Sequence, residues 1–359
     1  SLGGAVALMA AICSNRFRFN QCWSNMYVLN LAPTGTGKSY PQKVISKILD
    51  EELSTNLSGF GNYHSSSAFS KNLITKRERL DMIDEISSLF AQLKGGGLYQ
   101  MSILEEMCKI WSFSSGKYNG SEYADDNKDT STCFNPCINI LGSSTIDGLK
   151  PHITKIMVTK GLFPRFLIFK DEAYGKKSKD YFNANLFDKI ICQVKEILSI
   201  KKNERDDKKD ILHGPIYNPI DLAPKSKDAI DCFESIKSDF FKRVETEESS
   251  LVKDMLTRGK EQTMKFAIIH AASNLRQSIS SDDLIWAKQM FEVCLHNSRD
   301  FLEESAVDND WEKDSETIVN YIKKNGFTTY ATLGNRIRRI NGQRLTALLD
   351  YLCKTERLK

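Results

Sequence analysis

Short apolar runs alternate with segments of helical period along the first half of the chain. Ala5 to Cys13 is a stretch of small apolar residues with helical character. Met26 to Leu31 is rich enough in β-formers for a buried strand. A Gly/Pro/Thr turn, Ala32 to Gly37, leads into a helix expected from Lys38 to about Leu53. Leu80 to Asp84, Cys137 to Leu141 and Phe166 to Phe169 read as three further strands, with helices over Ser87 to Leu93 and Ile103 to Trp111 between them. Strands alternating with helices predict an α/β core with a largely parallel sheet, running to about Asp171.

The pattern then changes. Ser199 to Asp210 is a mixed-charge stretch which, with the Gly214-Pro215 and Asn218-Pro219 turns, marks a connection. Ser226 to Glu245, Leu251 to Gln277 and Asp282 to Glu304 read as amphipathic helices. Ser315 to Lys324, Tyr330 to Arg338 and Gln343 to Cys353 have the lengths of a three-helix, helix-turn-helix (winged-helix-like) unit. The expected division is 1–198, 199–308 and 309–359.

Composition narrows the classes. An apolar fraction of 41% with 27% charged residues describes an ordinary globular chain. The net charge is only +4, so any nucleic-acid contact must come from a local basic surface. No run of about 18 apolar residues is present, so no membrane helix is expected. The nine cysteines lack the spacing of a disulfide framework, which points to a reducing, cytoplasmic setting. Cys133 and Cys137 resemble half a zinc site, but burial as small apolar residues is the better expectation. The chain opens at Ser1 without a methionine, and an excerpt of a longer polypeptide is expected.

The sharpest chemical signal is Ala32-Pro33-Thr34-Gly35-Thr36-Gly37-Lys38-Ser39, with Tyr40 following, set between a strand and a helix. Two glycines let the backbone curl so that its N–H groups converge on phosphate, and the helix start adds partial positive charge. Lys38 then reaches the outer phosphates and Ser39 is suited to Mg²⁺. Ala32 replaces the first glycine of the usual pattern. At the end of the Leu80–Asp84 run, Asp84 is placed to hold the metal through water and Glu85 to polarise an attacking water. That pairing separates an ATP hydrolase from a small-molecule kinase, whose substrate hydroxyl attacks instead. The strand ending Leu141-Gly142-Ser143-Ser144 offers a polar tip that orients the water; Ser144 is preferred over Ser143, and a helix cap is the alternative role. Arg165 enters a hydrophobic strand after Pro164. It is read either as a finger reaching a neighbouring subunit's γ-phosphate or as a partner of Asp171 or Glu172.

These pieces, in this order, resemble the AAA+ ATPase module, and more closely the helicase domains of phage and prophage primase-helicase proteins, relatives of the viral superfamily 3 and minichromosome-maintenance helicases. The segments "NMYVLNLAPTGTGKS", "LDMIDEIS", "INILGSST" and "GLFPRFLIFKDE" carry the likeness, over about residues 5 to 300. The resemblance implies ATP and Mg²⁺ handled by Lys38, Ser39, Asp84 and Glu85, with Ser144 at a sensor position that is often Asn. It implies Arg165 as the finger in trans. Within the helix expected from Leu251, it implies a lid contact from Arg258 or Lys265. It also implies a ring, a hexamer, threading single-stranded DNA, and a primase or polymerase domain preceding Ser1 in a bacterial host cell.

In such rings a β-hairpin before the sensor strand projects into the channel. Trp111 to Cys137 fits that place, with Lys117, Tyr118 and Lys128 as candidates to contact phosphate or stack on a base. Asp125, Asp126 and Asp129 oppose a strong grip, and an acidic surface loop is the other reading. Arg336, Arg338, Arg339 and Arg344, with Lys323 and Lys324, suit a DNA-binding last unit, although such folds also bind proteins. The expected function is an ATP-dependent replicative DNA helicase. A protein remodeller, or a binding module with a degenerate nucleotide site, are the alternatives.

Overall fold

A computed structural model describes residues 1–94, 98–119, 132–171, 184–204, 216–306, 310–326, 328–337, 340 and 342–354. The chain divides into two compact units, Ser1–Arg299 and Asp300–Lys359.

The first unit opens with α1 (Leu2–Ile12), a helix apolar all round and mostly buried, as such a helix must be. Its small side chains let it lie close on the sheet, where it packs against β3 and β7, defined below. Two short strands follow, β1 (Phe17–Phe19) and β2 (Cys22–Trp23), then β3 (Tyr27–Leu31). After the glycine loop come α2 (Tyr40–Ser46) and a π-helical segment, Lys47–Glu52, so the single expected helix changes its winding part-way. Next are α3 (Ser66–Thr75), β4 (Glu78–Asp84), α4 (Ser87–Lys94) and α5 (Leu98–Ser112). A small antiparallel pair, β5 (Lys117–Asn119) and β6 (Thr132–Phe134), precedes β7 (Cys137–Ser144). Two short helices, α6 (Ile146–Leu149) and α7 (Lys155–Thr159), lead to β8 (Phe166–Lys170).

The fold is α/β with a four-stranded parallel sheet in the order β4-β7-β3-β8. All eight residues of β7 are buried, the signature of an inner strand covered on both faces. Gly142 is required there: a Cβ would lie 2.4 Å from the Ile86 side chain. The strand order puts the ends of β3, β4 and β7 side by side, at the carboxyl edge where open parallel sheets bind ligands.

The rest of the unit holds α8 (Ala184–Ser199), β9 (Ile220–Asp221), α9 (Lys227–Thr246), α10 (Ser250–Thr257), α11 (Gly259–Ser273) and, as far as Arg299, α12 (Ser281–Ala306). β9 joins β1 and β2 in a three-stranded sheet, tying the start of the chain to the helical region. The one helix expected from Leu251 is two, broken at Arg258. Gly259 sits where a Cβ would come within 2.7 Å of the Phe240 ring and 3.0 Å of Phe291.

The second unit contains α13 (Asp310–Asn325), α14 (Tyr330–Arg336) and α15 (Gly342–Lys354) around its own apolar core, which includes Ile318, Leu333, Leu345 and Leu348. Among the described residues, no helix is long and apolar enough to cross a membrane.

Candidate functional site

The loop after β3 turns through Gly35 and Gly37, at φ +81° and +80°, a left-handed backbone that side chains disfavour. Thr36 ties the loop to itself by donating from Oγ1 to the Pro33 carbonyl at 2.7 Å. A chain curled this way offers successive N–H groups to an anion, with the start of α2 behind them.

The tip of β4 faces this loop. Ser39 Oγ donates to both carboxylate oxygens of Asp84, at 3.0 and 3.1 Å. Glu85 has φ +53°, an uncommon conformation for a residue with a side chain. The Asp84 carboxylate supports it by accepting from the Glu85 N–H at 3.1 Å, and Ile86 N–H donates to the Ser143 carbonyl at 2.9 Å. This turn gathers three partners on the Glu85 carboxylate. Lys38 Nζ lies 2.7 Å from Oε2, while Ser144 and Ser87 donate to Oε1 at 2.8 and 2.9 Å. Partial burial pushes the Glu85 pKa up, but the hydrogen bonds from Lys38, Ser144 and Ser87 outweigh it and hold the group below the usual range.

The two serines of β7 divide the work. Ser143 Oγ accepts from Gln42 Nε2 at 3.2 Å and donates to the Lys38 carbonyl at 3.4 Å, so it fixes the loop and α2. Ser144 serves Glu85, and Thr145 rather than Ser144 caps α6. Sequence reasoning did not find Gln42 or Ser87. Ser87 follows Glu85 by two residues, a spacing that a turn makes useful and a helix does not.

Ser39 and Asp84 offer one neutral and one anionic oxygen donor. That sparse, hard-oxygen set suits Mg²⁺, which keeps most of its ligands as water and phosphate. Among the described residues, no cluster of three or more His, Cys, Asp or Glu is placed to hold a metal. Cys133 and Cys137 are both buried, and burial pushes their thiols up to about 12 and about 11, so they stay protonated.

A cavity of about 710 Å³ adjoins the loop, walled by Thr36, Lys38, Tyr40, Asn30, Phe169 and Asn297. Tyr40, Leu2 and Val293, all exposed apolar side chains, stand along it. Lys38 brings charge to this cavity, and Leu2, Tyr40 and Val293 bring apolar surface.

Arg165, Arg258 and Lys265 are not part of this gathering. They surround Trp111, with their cationic centres 5.2, 5.5 and 4.0 Å from its ring. Arg165 is buried, 6% exposed, and donates to the Gly161 carbonyl and to Ser112 Oγ; it makes no ion pair with Asp171, and Glu172 lies outside the described residues. Lys265 is fully buried, its ammonium held at 2.7 Å by both the Asn25 carbonyl and its side-chain oxygen. Arg258 is the most accessible of the three and lies 3.7 Å from Glu261. None of the three lines the cavity beside the loop.

The β5–β6 pair stands in the place expected for a hairpin, directly before β7. Lys117 is exposed on it, over the Phe134 ring. Tyr118 is buried, and its hydroxyl is bound to Glu106 and to Ser70 Oγ, so it anchors the pair to α3 and α5 instead of presenting a ring to a base. Lys128 lies outside the described residues, as do Arg338, Arg339 and the Arg344 side chain. Lys323, Lys324 and Arg336 are exposed on the second unit. Searches against protein-family models and against curated proteins find no match to this chain.

Proposed function

We propose that this chain is an ATP hydrolase of the AAA+ type that acts as a ring-forming motor on single-stranded DNA, within a longer primase-helicase polypeptide of a phage or mobile element. The observation that supports it best is the Glu85 carboxylate, set by a left-handed backbone between the loop lysine and Ser144. Strain held at one residue of a ligand-facing turn is expected where geometry serves chemistry.

In this reading the loop N–H groups and Lys38 bind the β and γ phosphates. Ser39 and Asp84 would hold Mg²⁺, which would supply positive charge to offset that of the phosphates. As the phosphates engage Lys38, Glu85 loses its cationic partner and becomes a stronger base. It then accepts a proton from the water whose oxygen attacks the γ-phosphorus, while the electron pair of the breaking bond leaves with the β-phosphate oxygen. Ser144 keeps the Glu85 carboxylate aimed during this exchange. The cavity lined by Asn30, Tyr40 and Asn297 takes the nucleoside. The β5–β6 hairpin, through Lys117, meets the DNA backbone. Arg258, half-buried and the most accessible of the cations around Trp111, faces a neighbouring subunit's nucleotide, while Arg165 is buried beside the same ring and bound to Ser112.

The test is steady-state ATP hydrolysis with and without single-stranded DNA, over a range of protein concentrations. Stimulation by DNA, with a rate per subunit that rises with concentration, is expected. Hydrolysis indifferent to DNA would replace the DNA motor by a protein remodeller, and no hydrolysis in an assembled particle would overturn the reading altogether.

A further inference from the structure

At the other end of β4 lies a second polar cavity of about 300 Å³. It is about 20 Å from Asp84, the length of a strand of seven residues. Its charged lining is Arg16, Lys76, Arg77 and Lys202 against a single carboxylate, Glu78. Thr55, Asn56 and Thr75 add neutral polar groups.

Part of this positive charge has a structural use. The cavity lies where α1, the π segment, α3 and α8 end, and helix C-termini carry about half a negative charge each. Arg16 Nη1 donates to the Ile12 carbonyl at the end of α1, and Lys76 stands at the C-cap position of α3, where its backbone N–H donates to the Asn72 carbonyl. Four such ends compensate about two charges. Four cations and one carboxylate leave a net of three. Among the described lining residues, positive charge therefore exceeds negative around this polar cavity.

The partners of each group point the same way. Lys202 pairs with Glu78, so the one carboxylate is already engaged. Lys76 makes no ion pair among the described residues, and Arg16 Nε is buried without a hydrogen-bond partner. Arg77 and Lys202 both rest on the Tyr217 ring, at 4.9 and 5.3 Å, which keeps their charged ends beside the cavity. Desolvation pulls the Arg16 pKa down, with Glu78 acting against it, as expected of a cation short of counter-charge.

We infer that this cavity binds a phosphate group, at a site separate from the glycine loop. The volume accommodates one or two phosphates. Two sources share that chemistry: a free phosphate or pyrophosphate, and one phosphodiester of a nucleic-acid strand. The inference stands on this cavity alone and does not require ATP hydrolysis at the other end of the sheet.

The experiment uses the whole chain carrying Lys38→Ala, which silences the glycine loop. It is titrated calorimetrically with inorganic pyrophosphate and, separately, with a short oligothymidylate. Binding of at least one probe at one per chain is expected, weakened at least tenfold by Lys76→Glu. The milder pair Lys76→Gln with Arg77→Gln should weaken it in the same direction, and circular dichroism verifies that each variant is folded. Pyrophosphate displaced by oligothymidylate identifies the backbone of a strand as the ligand; pyrophosphate that is not displaced identifies the free anion. Failure of both probes to bind, or binding that folded variants leave unchanged, overturns the inference. If Lys38→Ala and the unaltered chain bind ATP alike, the hydrolase reading fails while this result stands.

Discussion

Two of the ion pairs on β4 and at its tip, Arg79–Asp81 and Lys38–Glu85, have opposite designs. Near its start, Arg79 and Asp81 are both 0% exposed, 2.9 Å apart. Asp81 also accepts from the Tyr63 hydroxyl at 2.5 Å and from Phe60 N–H at 2.6 Å. Gly59 is packed so tightly on it that a Cβ would overlap a carboxylate oxygen. At the other end, Lys38 and Glu85 lie 2.7 Å apart with the carboxylate side chain 52% exposed. The first pair is closed to water and to any new partner, so its charges hold the strand and the loop over it. The second is open, so an anion can take the lysine. One strand thus holds a sealed pair near its start and an open pair at its tip, and burial separates the two.

The largest effect expected from breaking this contrast is on turnover. Glu85→Gln should lower ATP hydrolysis by about 10²- to 10⁴-fold, the usual worth of a general base. Nucleotide binding should persist, and stability in a urea melt should fall by about 1 kcal/mol or less, as for an ordinary substitution at a half-exposed site. Asp81→Ala should do the reverse. It leaves Arg79 charged and buried without its partner, a loss of about 3–5 kcal/mol that the same melt records. If Asp81→Ala left stability unchanged, the buried pair would not be the anchor described here.

Next in size is Ser144→Ala. It removes one hydrogen bond to a charged group, worth about tenfold to a hundredfold in turnover. The pH at which activity falls on the acid side should rise, because Ser144 helps to hold the Glu85 pKa down. Ser143→Ala should instead loosen the loop through Gln42, raising the nucleotide dissociation constant more than it lowers the rate.

The smallest effect sharpens the comparison with a third carboxylate. Asp283 is fully buried, yet accepts from His270, Arg276 and the Ser280 N–H and hydroxyl. Burial pushes its pKa up, but these hydrogen bonds outweigh it and hold the group well below the ordinary 3.8. A depressed folded pKa contributes stability that is fully present above the unfolded value and lost as pH falls below it. Between about pH 4 and pH 2, the unaltered chain should lose stability more steeply than Asp283→Asn, by at most about 1.4 kcal/mol per pH unit.

The open end of β4 was legible in the sequence because its signals are local. Gly35 and Gly37 mark the backbone turn, and an apolar run ending in Asp-Glu marks a strand tip. The anchor was not: a buried strand was readable from Leu80, but nothing local shows that Arg79 and Asp81 pair beneath Tyr63, Phe60 and Phe69, which come from elsewhere in the chain. The β1–β2–β9 sheet escaped notice for another reason. Strands of two or three residues are too short to show a period, and β9 lies far along the chain from its partner. Arg165 was visible as an arginine entering a strand, but its surroundings depend on Trp111 and Arg258, which only folding brings to it. Tyr118 failed similarly: its place on the hairpin was readable, and the inward direction of its ring was not.

The central claim is that Lys38 binds and Glu85 reacts at one shared site. The most direct test compares ATP binding and phosphate release, with Mg²⁺ present, for the unaltered chain, Lys38→Ala and Glu85→Gln. The account predicts binding and release by the unaltered chain, neither by Lys38→Ala, and binding without release by Glu85→Gln. Phosphate release by Glu85→Gln at the unaltered rate would contradict it.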